Sequence, residues 1–193
     1  MRVLLAAIRM TIVLTILTGL VYPLAITGIA RVIFPSQSSG SIVVRNGRTV
    51  GSALIGQGFS SPAYFHSRPS AAGSNGYDAS SSGGSNLGPT NKTLIDTVRK
   101  RLKDEVETDP GIRASQIPID LVTASGSGLD PEISPAAAAL QVPRVAKARG
   151  MSEEAVNQLV QENTRARWMG VLGEPGVNVL LLNLALDGVA ARK

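Results

Sequence analysis

The sequence predicts an α+β soluble domain carried on a single N-terminal transmembrane helix. From Met10 to Ala30 no side chain is charged, and about 20 apolar residues at a rise of about 1.5 Å each are what the hydrocarbon core of a bilayer requires. The rest of the 193-residue chain holds all 14 acidic groups and contains both strand-like and helix-like patterns. We therefore divide the chain into a short cytoplasmic N-terminus (1–9), a transmembrane helix (10–34), a linker (35–41) and an extracytoplasmic α+β domain (42–193).

Two interpretations of the apolar segment remain open, a retained anchor and a cleaved signal peptide. Gly28 and Ala30 have the spacing that a signal peptidase prefers, and Arg2 and Arg9 would form a basic start. The uncharged run is, however, longer than the roughly 7 to 15 residues of a signal core. Its length favours the anchor.

One face of the predicted helix carries hydroxyl-bearing and small side chains. Thr11, Thr15, Thr18 and Tyr22 follow the spacing i, i+4, i+7, i+11. In lipid such faces let helices approach closely and exchange hydrogen bonds; alternatively, each threonine bonds its own i−4 carbonyl. Pro23 also removes a backbone donor and crowds the carbonyl of Gly19. The predicted helix-packing residues are Thr11, Thr15, Thr18, Gly19, Tyr22 and Pro23.

The charge distribution bears on orientation and on partners. Arg2 and Arg9 precede the span and favour a cytoplasmic N-terminus, although Arg31, Arg45 and Arg48 follow it and nearly balance the count. With the arginines that flank the span set aside, the net charge of +5 falls close to neutral. A near-neutral domain with few aromatic residues argues against a nucleic-acid partner.

Turn and loop signals organise the first part of the domain. Asn46-Gly47 supplies the two positive-φ positions of a type I′ turn, which predicts a hairpin over 42–55. Residues 57–89 are rich in Ser, Gly, Asn and Pro and predict a long loop.

Capping residues place three helices, and apolar runs place two strands. Thr90 or Asn91 can cap the first helix, which Asp109-Pro110-Gly111 ends. Its predicted apolar stripe is Leu94, Ile95, Val98, Leu102 and Val106. The remaining predicted elements are a strand over 117–123, a helix from Pro135 to Arg149 capped by Ser134 and stopped by Gly150, a helix capped by Ser152, and a buried strand over 177–186 with a helix as its rival.

The residues offer little catalytic chemistry. The chain has no P-loop, no cysteine and one histidine, His66, so we assign no catalytic residue, no metal site and no intrinsic cofactor. Two alternatives stay open: a membrane-anchored hydrolase that uses His66 with a serine of the 60–85 loop, and a secreted hydrolase or binding domain.

Two serine- and glycine-rich stretches could contact an anion or a nucleotide through backbone amides. Tight turns and close backbone approach explain their glycines equally well. The candidate residues are Ser82, Gly83, Gly84, Ser85 and Asn86 in one stretch and Ser125, Gly126, Ser127 and Gly128 in the other.

Several strings resemble the C-subunit family of the Kdp-type potassium-transporting ATPases, in order along nearly the whole chain. They include TG at 18–19 with YP at 22–23, LIGQ at 54–57, YFH at 64–66 with RPSA at 68–71, GSNL at 84–87, VTASGSGLDP at 122–131, RVA at 144–146 and LNLALD at 182–187.

The resemblance implies an accessory, non-catalytic subunit of a high-affinity, ATP-driven potassium uptake pump in a bacterial inner membrane. Its implied partners are a channel-like potassium-binding subunit, a P-type ATPase subunit, a small single-span subunit and membrane lipid. The family is described as assembling and stabilising the pump, and as a catalytic chaperone that raises the ATP affinity of the hydrolysing subunit. ATP would then act at the level of the complex, since a domain outside the membrane cannot touch cytoplasmic ATP.

Overall fold

The chain forms two compact units, Met1–Ser52 and Ala53–Lys193. The structure is a computed structural model that describes residues 1–109 and 111–190. The division between the units follows the second strand of a hairpin, so the hairpin belongs with the N-terminal helix, whereas the sequence-based division groups it with the larger domain.

A continuous helix dominates the first unit. It consists of α1 (Arg2–Ile16), a π-helical turn (Leu17–Val21) and α2 (Tyr22–Ile33). Its 32 residues rise roughly 48 Å, more than the ~30 Å of a hydrocarbon core. Among the described residues it is the one helix long and apolar enough to cross a membrane. Helical structure therefore begins well before Met10, because Arg2 and Arg9 interrupt the apolar character but not the backbone hydrogen bonds.

The π-helical turn lies immediately before Pro23. The Tyr22 N–H donates to the carbonyl of Leu17, five residues back. Local π geometry is one way in which a membrane helix accommodates the bonding that a proline disrupts. The backbone thus adapts to Pro23 by changing its bonding pattern.

The predicted hairpin is confirmed. After a short helix, α3 (Pro35–Ser38), strands β1 (Ile42–Arg45) and β2 (Arg48–Ser52) pair antiparallel. Asn46 and Gly47 have φ angles of 51° and 74°, as a type I′ turn requires. The second strand ends at Ser52, so the predicted extension to residue 55 is wrong. Leu54 and Ile55 lie in an exposed turn.

The second unit opens with an irregular stretch that nonetheless contributes to the core. Residues 53–91 contain neither helix nor strand, which confirms the predicted long loop. Phe65 and Ala72 in this stretch are fully buried. The loop is therefore packed rather than peripheral.

The first helix of the second unit, α4 (Lys92–Thr108), is capped by Asn91, whose side chain accepts hydrogen bonds from the N–H groups of Thr93 (2.8 Å) and Leu94 (3.4 Å). This confirms one of the two predicted caps. The predicted apolar stripe is only half-buried. The helix ends at Thr108, and Pro110 of the predicted stop lies outside the described residues.

The strand predicted over 117–123 is wrong. A single 3₁₀ turn, Ile119–Leu121, occupies this position. Pro118 lacks the N–H that a sheet ladder needs, and its carbonyl accepts from Leu121 N–H at 3.1 Å. Asp120 then anchors the turn, because its carboxylate accepts from Ser134 N–H (2.7 Å) and Ser134 Oγ (3.1 Å).

A small antiparallel sheet and three helices complete the domain. The elements are β3 (Glu132–Ile133), α5 (Pro135–Arg149), α6 (Glu153–Glu162), β4 (Thr164–Arg165), β5 (Gly176–Asn178) and α7 (Val179–Ala190), with strand order β3-β5-β4. The caps are as predicted: Ser134 Oγ accepts from Ala137 N–H and Ser152 Oγ from Ala155 N–H. Gly150 ends α5 with a φ of 61°.

The buried strand predicted over 177–186 is wrong beyond Asn178, and its rival, a helix, is correct. Leu182 and Leu186 are both 0% exposed, whereas Leu181 is 38% exposed. That four-residue spacing of buried positions is helical. Leu182 and Leu186 belong to the core together with Phe65, Ile133, Val142, Val145, Val156 and Val177.

Candidate functional site

The predicted helix-packing face lies wholly on the surface of the isolated chain. Thr11, Thr15, Thr18, Gly19, Tyr22 and Pro23 are all exposed. The added Cβ of an alanine at Gly19 would meet nothing within 4 Å. Each residue of a π-helical turn rotates less about the helix axis than a residue of an α-helix. The turn at 17–21 therefore moves Tyr22 and Pro23 off the line of Thr11 and Thr15.

Two of the three threonines bond to their own helix. Thr11 Oγ1 donates to the Ala7 carbonyl at 2.9 Å, and Thr18 Oγ1 donates to the Leu14 carbonyl at 2.7 Å. These are the i−4 bonds that the sequence left as an alternative to bonds with a partner. A hydroxyl that donates in this way keeps two lone pairs as acceptors, so the face can still accept hydrogen bonds from a neighbouring helix.

The two serine- and glycine-rich stretches lie against each other. Gly83 N–H donates to the Ser127 carbonyl at 2.8 Å, and Ser82 Oγ donates to the same oxygen at 2.9 Å. A Cβ at Gly84 would lie 3.1 Å from the Gly126 carbonyl oxygen. The structure thus brings together stretches that are separate in the sequence.

This contact accounts for the glycine at position 128. Gly128 has a φ of +66°, and an added Cβ would lie 2.5 Å from the Gly83 carbonyl oxygen and 2.8 Å from Ala72 N. Ser70 Oγ donates to the Gly128 carbonyl at 2.6 Å, and Ser127 Oγ accepts from Leu129 N–H at 3.1 Å. Close backbone approach is therefore a sufficient reason for these residues. The structure does not test any of the nine candidates of the two stretches as anion contacts, so this assignment stays a prediction.

A second cluster holds residues 62–66, here called the docked segment, against helices α5 and α7. Each carbonyl of the segment accepts from a side chain of one of these helices. The bonds are Arg144 to Pro62 O (2.8 Å) and Tyr64 O (3.0 Å), Arg149 to Ala63 O (2.6 Å), Asn183 to Phe65 O (3.0 Å), and Gln141 to His66 O (3.2 Å). Side chains thus take the role that a neighbouring strand would have in a sheet.

Arg144 is the centre of this cluster. It is 8% exposed, and its guanidinium also donates to Gln141 Oε1 (2.7 Å) and to Asp109 Oδ2 (3.3 Å). The Asp109 carboxylate compensates a charge that would otherwise be costly to bury. The ion pair joins the end of α4 to α5.

An adjacent group of contacts within the chain surrounds Tyr64. Its hydroxyl donates to the Asp187 carboxylate at 3.1 Å, and Arg149 donates to the same carboxylate at 2.9 Å. The Arg149 guanidinium also stacks 4.7 Å from the centroid of the Tyr64 ring. These contacts fix the start of the docked segment to the last turns of α5 and α7.

His66 is also a member of the docked segment. Its Nε2 lies 3.2 Å from the backbone carbonyl oxygen of Ser61, not from a serine hydroxyl. Burial lowers the pKa of His66 below its usual 6.5, and the positive charge of Arg144 lowers it further. The contact with Ser61 and the charge of Asp109 oppose these effects. The net effect favours the neutral imidazole over its cation.

Sequence reasoning assigned no role to the residues that hold the docked segment. Arg144, Asn183 and Asp187 occur in the strings that resemble the family, but the resemblance gave them no structural role. A usable signal was present on α5, where Gln141 and Arg144 occupy the same helical side as Val145 and Ala137. Polar side chains on an apolar face indicate buried partners.

Comparison with known proteins identifies the same family over nearly the whole chain. The chain matches the family KdpC, described as K+-transporting ATPase, c chain, over residues 4–188. A potassium-transporting ATPase KdpC subunit from Gemmatimonas aurantiaca is 59% identical over 185 residues, which cover 96% of this chain and 92% of the relative. KdpC subunits from Koribacter versatilis and Polaromonas naphthalenivorans are 56% and 55% identical, over 96% and 95% of this chain and 94% and 93% of theirs. The chain belongs to the KdpC family and is an accessory subunit of a potassium-transporting ATPase.

Proposed function

We propose that the chain is a non-catalytic subunit that assembles and stabilises the potassium pump within the membrane. Its partners would be the channel-like potassium-binding subunit, the P-type ATPase subunit and the small single-span subunit that the family resemblance implies. The spanning helix would pack against them through Thr11, Thr15, Thr18 and Gly19, while the folded domain acts outside the membrane.

The observation that carries this proposal is the full exposure of the spanning helix in the isolated chain. The apolar window of the 32-residue helix has no residue buried inside the chain, so its whole surface is open to lipid or to other helices. Thr11 and Thr18 retain acceptor capacity after bonding to their own backbone. A helix of this kind supports association through small and hydroxyl-bearing residues.

We further propose that the N-terminus is cytoplasmic and that residues 53–190 lie on the periplasmic side of the inner membrane. Arg2, Arg9 and the terminal amino group support this orientation, since basic residues favour the cytoplasmic side. Protease treatment of intact spheroplasts should digest a C-terminal tag. Complete protection of the tag until the cells are lysed would overturn the orientation.

An effect on ATP would be indirect in this arrangement. A domain across the membrane cannot touch cytoplasmic ATP, so any rise in the ATP affinity of the hydrolysing subunit has to pass through the spanning helix or the outer face of its partners. The KM for ATP of the pump assembled with and without the chain tests this role. An equal KM in both preparations would remove it and leave assembly as the function.

The central experiment is co-purification. A tagged chain drawn from native membranes should bring two larger membrane proteins with it, and cells that lack the chain should lose high-affinity potassium uptake. Recovery of the chain alone, together with intact uptake in its absence, would contradict the proposal. The hydrolase alternative gains no support from His66, whose ring faces a backbone carbonyl.

A further inference from the structure

An apolar turn projects from the second unit between strands β4 and β5. Residues 168–172, here called the tip, form a tight hairpin: Trp168 N–H donates to the Leu172 carbonyl at 2.8 Å, and Leu172 N–H donates back to Trp168 O at 3.0 Å. Val171 N–H also reaches Trp168 O at 3.2 Å. Met169 and Gly170 make the turn with φ angles of 51° and 78°.

The side chains of the tip are unusually exposed for their chemistry. Trp168, Met169, Val171 and Leu172 are 64%, 76%, 74% and 55% exposed. In the described part of the second unit, the other exposed large apolar side chains are spread along the chain: Leu54 and Ile119 at 62% and 74%, and Ile55 and Leu181 at 36% and 38%. A concentration of apolar surface at one turn marks a contact site rather than ordinary surface scatter.

We propose that the tip inserts into the boundary between headgroups and acyl chains of the bilayer that the chain's own helix spans. The occupant of this surface is lipid. Tryptophan is enriched at the level of the headgroups, where its ring is buried and its N–H remains hydrated. Met169 and Val171, at the end of the turn, would reach furthest into the apolar layer.

Backbone bonding permits a lipid environment for most of the tip, with the Met169 N–H as the one amide of residues 168–172 that donates no backbone hydrogen bond. Apolar surroundings penalise any backbone group that lacks a partner, and the hairpin pairs the N–H groups of Trp168, Val171 and Leu172 internally. Gly170 N–H likewise donates to the Arg167 carbonyl at 3.1 Å. The tip can therefore leave water with these groups satisfied.

The charges at the base of the tip suit the headgroup layer. Arg167 pairs with Glu174 at 2.6 Å, and Arg165 pairs with Glu132 at 2.7 Å. Paired charges beneath an apolar end define how far the turn can enter, because the pairs remain in the hydrated zone. Both arginines are about half exposed and remain available to lipid phosphates.

The covalent link to the spanning helix raises the probability that the tip contacts the bilayer. Residues 34–52 join the spanning helix to the second unit, so the domain is held near a bilayer surface at high effective concentration. Even modest insertion energy from a few side chains then suffices. This reasoning holds for either orientation of the span.

Trp168 provides a direct test because it is the only tryptophan in the chain. The full chain is reconstituted into vesicles of phosphatidylethanolamine and phosphatidylglycerol, with and without bromine on the acyl chains. We expect blue-shifted emission that brominated lipid quenches and that aqueous acrylamide quenches poorly. Met169→Asp and Val171→Asp should each lower the ratio of inserted to water-exposed tip by about tenfold or more, because a carboxylate is strongly disfavoured in the apolar layer. The change is read as weaker quenching of Trp168 by brominated lipid.

Ile119→Asp is the matched control, because Ile119 is as exposed as Val171 but lies on a different turn. It should leave the quenching unchanged, and far-UV circular dichroism should show equal helix content in all variants. Quenching of Trp168 by acrylamide with no effect of brominated lipid would overturn the proposal.

A protein partner is the competing outcome. The chain has no cysteine, so Met169→Cys accepts a single fluorescent label before the other pump subunits are added. We expect brominated lipid to quench this label equally in the lone chain and in the assembled pump. Loss of that quenching on assembly would assign the tip to a protein interface and overturn the lipid assignment.

Discussion

Asn183 pairs with both backbone polar groups of Phe65. The Asn183 side-chain carbonyl accepts from Phe65 N–H at 2.9 Å, and its amide donates to Phe65 O at 3.0 Å. Phe65 is 0% exposed and Asn183 is 2% exposed, so water cannot replace these bonds. One side chain of α7 thereby allows an irregular segment to enter the core.

Replacement of this amide should destabilise the domain strongly. Asn183→Leu keeps a similar volume but leaves the N–H and C=O of Phe65 without partners, at about 1 to 3 kcal/mol for each group. We expect a loss of roughly 2 to 5 kcal/mol in the free energy of unfolding, measured by urea titration of the full chain in detergent with far-UV circular dichroism. Asn157→Leu, at an exposed position of α6, is the control and should change stability little. Equal losses in the two variants would show that the paired bonds contribute nothing.

Two glycines of the serine- and glycine-rich stretch at 125–128 should respond differently to replacement by alanine. At Gly128 a Cβ would meet backbone atoms at 2.5 and 2.8 Å in a left-handed conformation, so we expect Gly128→Ala to cost about 3 kcal/mol or more. At Gly126 a Cβ would meet nothing within 4 Å, so Gly126→Ala should stay within about 1 kcal/mol of the parent. Thermal unfolding of both variants provides the measurement. Normal stability of Gly128→Ala would mean that the two stretches do not pack as closely as described.

The pH dependence of stability should include a contribution from His66. Its pKa is lowered by burial and by the charge of Arg144, so on acidification the unfolded chain binds the proton first. The contribution of His66 to the free energy of unfolding is therefore fully present above pH 6.5 and is lost as the pH falls below that value. His66→Gln should flatten this fall, as measured by unfolding titrations on both sides of pH 6.5.

Glu105 has the opposite effect on the pH dependence of stability, and its contribution must be distinguished from that of His66. Burial raises the pKa of Glu105 above 4.5, so its contribution decreases as the pH rises through the range above 4.5. This contribution is common to the parent and to His66→Gln and cancels in their difference. Parallel pH profiles for the two proteins would contradict the assignment to His66.

Local signals predicted the elements whose ends are decided by neighbouring residues. Asn46-Gly47, Asn91, Ser134 and Ser152 each make, in the structure, the turn or cap that their chemistry favours. These positions need no distant partner, because the bonds close within a few residues.

The strand predicted over 117–123 failed for a local reason, the missing N–H of Pro118, whereas the structure of residues 176–186 depends on tertiary contacts. The strand Gly176–Asn178 exists because it lies between β3 and β4. The apolar run after it becomes a helix that is buried against α6 and β5. A short apolar run does not by itself distinguish these outcomes. The docked segment is a further case, since the partners of Phe65 and His66 lie more than 70 residues away in sequence. The two serine- and glycine-rich stretches were found from composition, but their mutual packing was not.

The threonines of the spanning helix give the last prediction. Thr15→Leu together with Thr18→Leu removes two hydroxyl acceptors and adds bulk to the face that we assign to partner helices, where each interhelical hydrogen bond contributes about 0.6 to 2 kcal/mol. Leu14→Ala together with Ile16→Ala, at neighbouring positions of the same helix, is the control. We expect the threonine pair to reduce recovery of the assembled pump in detergent several-fold, and the control pair to reduce it less. If the hydroxyls bond only to their own backbone, as Thr18 does to Leu14 in the isolated chain, then the double leucine variant will assemble as well as the parent and the packing face has to be sought elsewhere on the helix.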